Sequence, residues 1–158
     1  MNIFVVDENP SKAAMHLHDR HVVKMILESA QLICTTRRLH GDNNPILFKV
    51  TFVNHPCAIW ARESLQNYLW LCKHFKALCE EYRYRYERSH SCEKFIPILC
   101  NELKYPLKDI PLTKFKLAMP DKYKTDNVVE SYRNYYLSEK IQNNFWTKRR
   151  YELDDWLL

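Results

Sequence analysis

Between Asp19 and Arg38 the chain reads D-R-H-V-V-K-M-I-L-E-S-A-Q-L-I-C-T-T-R-R, twenty residues with neither glycine nor proline. Asp19 is a good N-cap, and Arg37 and Arg38 suit the negative end of a helix dipole. The stretch therefore predicts one long helix. Val22, Val23, Met25, Ile26, Leu27, Ala30, Leu32 and Ile33 cover most of its circumference, as in a helix that is largely buried. His21, Lys24, Glu28 and Gln31 follow at spacings of 3, 4 and 3, which gathers them on one face. A narrow stripe of imidazole, amine, carboxylate and amide on such a helix reads either as an ordinary solvated face or as the wall of a polar pocket. In the second case Glu28 could hold a proton, and Lys24, partly desolvated, could lose one and become a nucleophile.

A chain of 158 residues that is 46% hydrophobic can bury a real core, so one domain spanning 1–158 is expected and disorder is not. Charges interrupt every apolar run before it reaches the length of a membrane span. The opening M-N-I-F-V-V-D-E-N-P lacks the basic region and cleavage site of a signal peptide, which points to a cytoplasmic protein. Six cysteines occur without a C-x-x-C pair, and several fall at apolar helical positions, where a free thiol behaves as a small hydrophobe. The net charge of +5 permits an anionic partner, and ten Tyr, four Trp and seven Phe interleave in places with basic residues. That mixture suits phosphate contacts with base stacking, although most such rings belong in a core. One glycine in the whole chain argues against the P-loop and Rossmann phosphate cradles, which need several.

The remaining elements follow from local signals. Residues 2–7 form a short apolar run, read as an extended N-terminal arm or a small strand. Asn9-Pro10 opens a short helix to about His18. The loop H-G-D-N-N-P follows the long helix, and Ile46 to Val53 has extended character. His55-Pro56 opens a helix expected to run unbroken to about Tyr86. Cys92 to Leu103 is a further candidate, limited by Pro97. Tyr105 to Pro120 should be irregular. Asp126 caps a helix from Asn127 to about Ile141, and the tail with Trp146 and Trp156 packs back. The fold class is mostly α, a single helical domain with a short extended arm.

Three further groups carry possible chemistry. His55, held by Pro56 at a helix start, either caps the helix or meets an anion there, with Arg62 and Glu63 within two turns. The run Y-R-Y-R-Y-E-R (82–88) sets Tyr82 and Tyr86, and Arg85 and Arg88, at helical spacing, either as core tyrosines with solvated arginines or as an edge for a nucleic-acid backbone. Lys148, Arg149 and Arg150 add a basic cluster. His16, His18, His21 and His55 with Asp19 could meet at a metal, but no zinc spacing is present, and a metal-free site is preferred. Cys57 stands two residues from His55, a separation that does not make a nucleophile pair on a helix. Nothing calls for a cofactor.

The runs D-E-N-P, H-D-R-H-V-V-K-M-I-L-E-S-A-Q-L, N-H-P-C-A-I-W-A-R-E-S-L-Q-N-Y, A-M-P-D-K-Y-K and E-S-Y-R-N-Y-Y resemble a small protein family of large DNA phages and viruses. The order of an N-terminal arm, a helix ending in A-Q-L, a loop and N-H-P is also similar to the pyrimidine-dimer DNA glycosylases of the endonuclease V type, over roughly the first 70 residues. That resemblance implies an all-α fold. It also implies base flipping opposite a lesion, glycosidic cleavage through an amine and an acid, and strand breakage by β-elimination. Only His55 and Pro56 transfer directly. The family's amine is the α-amine exposed by methionine removal, whereas Asn2 here is a residue that usually retains Met1, and the family's acid does not align with Glu28.

The expected function is DNA processing, as a glycosylase with AP-lyase activity. Lys24 would be nucleophile or electrostatic group, Glu28 acid/base, and His21 and His55 orienting or phosphate-contacting groups. Gln31, Arg62, Tyr82 and Arg85 would help hold DNA. The alternatives are an enzyme on a free nucleotide or modified nucleoside, and a non-enzymatic phage binding or inhibitor protein.

Overall fold

A computed structural model describes residues 1–100, 106–148 and 155–157 of the chain. Two long helices carry the fold. α2 (Asp19–Leu39) packs along α4 (Leu65–Tyr86), α1 (Pro10–His16) lies against α4, and α3 (Pro56–Glu63) fills the angle between α2 and α4. Two shorter helices, α5 (Ile96–Leu99) and α6 (Val128–Tyr135), complete the α-helices among the described residues, where no strand occurs. The fold is all-α. No described helix is long and apolar enough to cross a membrane.

The core is built where the apolar faces of α1, α2, α3 and α4 meet, around Leu17, Met25, Ile26, Leu32, Ile33, Trp60, Tyr68, Leu71 and Phe75. The N-terminal arm is part of it: Ile3, Phe4, Val5 and Val6 are buried. The Asn2 carboxamide holds the arm in place, accepting from the Ile3 and Phe4 N–H groups and donating to the Ala118 carbonyl at 2.8 Å. Phe4 has a left-handed φ of 56°, which turns its ring onto His21 at 4.4 Å between centroids. Phe4 also meets Tyr135 and Tyr136 from the C-terminal third, so the arm bridges the two ends of the chain.

Several boundaries differ from the sequence expectation, each for a local reason. The cap of α2 is His18, whose Nδ1 accepts from His21 N–H, and Asp19 is freed for a buried ion pair. Arg37 and Arg38 fasten the following loop: Arg37 bonds Asp42 at 2.6 Å and the Ile98 carbonyl, and Arg38 donates to the Leu47 and Phe48 carbonyls. Ile46 to Val53 is irregular. The helix expected over 56–86 breaks at Ser64, which is extended (φ −149°, ψ 160°) and caps α4 by accepting from Asn67 N–H at 3.0 Å. The Lys108 carbonyl takes the Leu65 N–H, so a remote irregular segment stabilises the break.

The expected 92–103 helix is a 3₁₀ turn (Ser91–Phe95) followed by the single turn of α5; its final residues, 101–103, lie outside the described residues. The last helix is capped by Asn127, not Asp126, and continues past Tyr135 as one π turn, Tyr136–Lys140. The tail packs back as expected, with Trp146 donating to the His16 carbonyl at 3.0 Å. Arg149 and Arg150 of the basic cluster lie outside the described residues.

Candidate active site

The polar stripe of α2 divides in two. At its N-terminal end His21 turns inward: its ring stacks on Phe4 and on His18 (4.1 Å), and its Nδ1 meets the Tyr136 hydroxyl at 3.1 Å. Burial is the first cause that pushes His21 down to about 3, with the neighbouring His18 next. Burial likewise lowers His18 to about 4. Both rings are therefore neutral packing elements at pH 7. The four histidines considered for a metal do not converge, because His55 lies at the other end of the stripe. Among the described residues no group of three or more His, Cys, Asp or Glu is placed to hold a metal ion.

Two turns further along α2, Glu28 is the centre of a nitrogen-rich cluster. The arm, held by Asn2, delivers its first nitrogens to this carboxylate. Asn2 N–H donates to Oε2 at 3.0 Å, and the Met1 α-ammonium lies 4.0 Å from the same oxygen. Lys24, one turn back, places Nζ 3.2 Å from Oε1. The Glu28 side chain is nearly buried, whereas that of Lys24 is 60% exposed. The desolvation expected around the pair therefore applies to the acid and not to the lysine.

His55 closes the cluster. Its Nδ1 accepts from Cys57 N–H at 3.2 Å, which caps α3 and aims the rest of the ring at the Met1 backbone. Burial first, and then the nearby α-ammonium, lower its pKa, while Glu28 and the Met1 backbone oppose the shift. Both readings of His55 thus describe one geometry: it is a cap, and it also borders the acid. Cys57 sits behind it against Ile3 and Tyr132, and burial pushes its thiol up to about 11, so it has little thiolate character.

Gln31 stands one turn beyond Glu28 and is half-buried. Arg62, on α3, donates to the Val53 carbonyl at 2.8 Å and braces the loop that leads to His55. Gln31 thus shares the Glu28 face of α2, and Arg62 acts on the loop that carries His55. Tyr82 and Arg85 belong to α4, where Arg85 meets α2 at Asp19, near its N-terminus. Tyr82 is buried among Tyr86, His90 and Arg88. Arg85, 1% exposed, bonds Asp19 and Glu81 at 2.9 Å each and the Met15 carbonyl at 3.1 Å. The expected role of Tyr82 and Arg85 in holding DNA is corrected: both are buried, Arg85 in an ion network, while Arg83, Tyr84 and Arg88 of the run are exposed. A guanidinium gives up too much hydration to be enclosed without carboxylates around it, and here it has two.

The residue that sequence reasoning missed is Asn2. Its side-chain bonds shape the arm, and its N–H meets Glu28 across 26 positions. The signal was a polar residue heading an apolar run, which is weak without the fold. Comparison with curated proteins and with solved structures gives no match. A family model for pyrimidine dimer DNA glycosylases matches residues 1–94, which includes the arm, α2, the His55 cap and all of α3 and α4. By that match over more than half its length, the chain belongs to the pyrimidine dimer DNA glycosylase family.

Proposed function

We propose that this protein is a DNA glycosylase with an accompanying lyase step, and that the reaction takes place at Glu28. The observation that carries the reading is the Glu28 carboxylate, nearly buried yet bordered by the Met1 α-ammonium, Asn2 N–H and Lys24 Nζ. An amine beside a shielded carboxylate suits attack on C1′ of a flipped nucleotide. The amine nitrogen forms a bond to C1′, the bond from C1′ to the base breaks, and the base leaves with the electron pair. Glu28 takes the amine proton and gives it to O4′ as the C1′–O4′ bond breaks, which opens the sugar and leaves an iminium. The regenerated Glu28 carboxylate then takes a C2′ proton, and the electron pair of that bond expels the 3′ phosphate oxygen and breaks the strand.

Of the amines present, the α-amine is our choice of nucleophile. It is carried on the arm that Asn2 fixes against Glu28, whereas the Lys24 side chain is 60% exposed and free to swing away. Lys24, the nucleophile expected from spacing, takes the electrostatic role, since an exposed ammonium beside the acid suits a DNA phosphate. His55 orients the amine from the far side. Gln31 and Arg62 border the nucleotide.

Binding and strand nicking are measured side by side on plain, abasic and ultraviolet-irradiated duplexes across a salt series. The reading predicts tighter binding to irradiated and abasic DNA, steep weakening with salt, and nicks at pyrimidine dimers. Equal binding to all three duplexes with no nicking contradicts it.

A further inference from the structure

The loop leading into His55 carries an exposed phenylalanine on a strained backbone. Phe52 is 57% exposed and has a left-handed φ of 49°, a conformation that bulky side chains rarely adopt. Its neighbours pin it on both sides. The Thr35 hydroxyl accepts from Thr51 N–H and donates to the Thr51 carbonyl, each at 3.1 Å. Arg62 holds the Val53 carbonyl, and His55 N–H donates to the Phe52 carbonyl at 2.9 Å. The strain is therefore imposed by a rigid mount, and its effect is to hold an aromatic ring out in solvent.

The mount also fixes where that ring stands. Thr35 lies seven residues beyond Glu28 on α2, so the two share a face two turns apart. The loop runs back along this face, from Thr51 at Thr35 to His55 at the Met1–Glu28 end. Phe52 is thus beside the acid cluster. Leu27, the residue before Glu28, and Ile59, one turn beyond His55, are exposed in the same neighbourhood.

We infer that Phe52 is a wedge that enters the base stack of the duplex beside the nucleotide presented to Glu28. Apolar side chains inserted between base steps unstack them and kink the duplex, and a rigid ring can occupy the space a flipped nucleotide leaves. Phe52 is a positioning residue in this account, since it meets bases and not the reacting bond. The inference rests on the glycosylase reading and adds to it the residue that opens the base stack.

The test uses a duplex carrying a tetrahydrofuran abasic analogue, which binds without being cleaved, with 2-aminopurine in the step beside it. Unstacking of 2-aminopurine raises its fluorescence. The wild-type protein should produce the rise. Phe52→Ala and Phe52→Gly should lose it and bind roughly tenfold or more weakly, in the range that base–aromatic stacking covers. Phe52→Gly also relieves the strained backbone, so agreement between the two variants assigns the loss to the ring. Phe145→Ala is the control. Phe145 is 68% exposed, but its carbonyl takes Asp19 N–H at the far end of α2, and the variant should behave as wild type. A wild-type fluorescence rise that Phe52→Ala retains overturns the wedge alone. A wild-type protein that neither prefers the abasic duplex nor raises the signal overturns the glycosylase reading, and the wedge with it.

Discussion

Replacing Arg85 by methionine should cost stability and leave the shape of the acid cluster intact. The Arg85 side chain is 1% exposed and its guanidinium holds together Asp19, Glu81 and the Met15 carbonyl. Methionine fills most of the volume but supplies no charge. Asp19 keeps partners, because Thr147 donates to it from its N–H at 3.0 Å and from its hydroxyl at 2.6 Å. Glu81, 2% exposed, loses its guanidinium contact in the low-dielectric interior and keeps its other interactions. Removing one member of a buried ion pair costs about 3–5 kcal/mol, most of it from the charge left behind. The retained Thr147 bonds place the expected loss near the lower bound, about 3 kcal/mol.

For a chain of this length that corresponds to a fall in Tm of about 6–12 °C. Thermal and urea unfolding at pH 7 read it directly. Combining Arg85→Met with Glu81→Gln should recover part of the loss, since a neutral amide is cheaper to bury than a carboxylate. A loss under about 1 kcal/mol, as an exposed ion pair gives, would refute the reasoning.

Two other outcomes follow from the same geometry. His18, His21 and His74 are held by burial at about 4, 3 and 4, so between pH 6.5 and 5 the unfolded chain takes up protons that the folded chain refuses. Stability should therefore fall as pH drops through this window, with a slope for each imidazole that rises from about 0.7 toward about 1.4 kcal/mol per unit, and a flat profile from urea titrations would contradict the burial of these rings. Ser64→Ala removes the cap of α4 and should cost about 1 kcal/mol in urea unfolding, with Ser64→Gly closer to wild type; equal and negligible effects would mean that the Lys108 carbonyl alone sets the break.

The elements with local causes were legible in the sequence. α2 was bounded to within a residue because nothing in it interrupts a helix, and the Pro10 and Pro56 starts followed from proline at the first helical position. Ser64 was missed because both flanks read as helix, and its S-x-x-N spacing competes with a strong apolar face. The approach of Lys24 to Glu28 followed from their spacing, since neighbours one turn apart meet whatever surrounds them. Whether that face met solvent or a cluster depended on the arm, and the Asn2–Glu28 bond is a contact between distant segments that no periodicity encodes. The 82–88 run misled for the same reason. Alternating Tyr and Arg looks like a surface edge until Asp19, 66 positions away, is brought against Arg85.

The most direct test of the account is borohydride trapping on a dimer-containing or abasic duplex, with the cross-linked peptide identified by mass spectrometry. The wild-type protein should give a covalent adduct on its α-amine. Lys24→Ala should keep the adduct, and Glu28→Gln should lose it while still binding the duplex. Trapping through Lys24, with loss in Lys24→Ala, would move the nucleophile to the lysine. No adduct from the wild type on either duplex, or full trapping by Glu28→Gln, would contradict the claim that an amine beside Glu28 performs the chemistry.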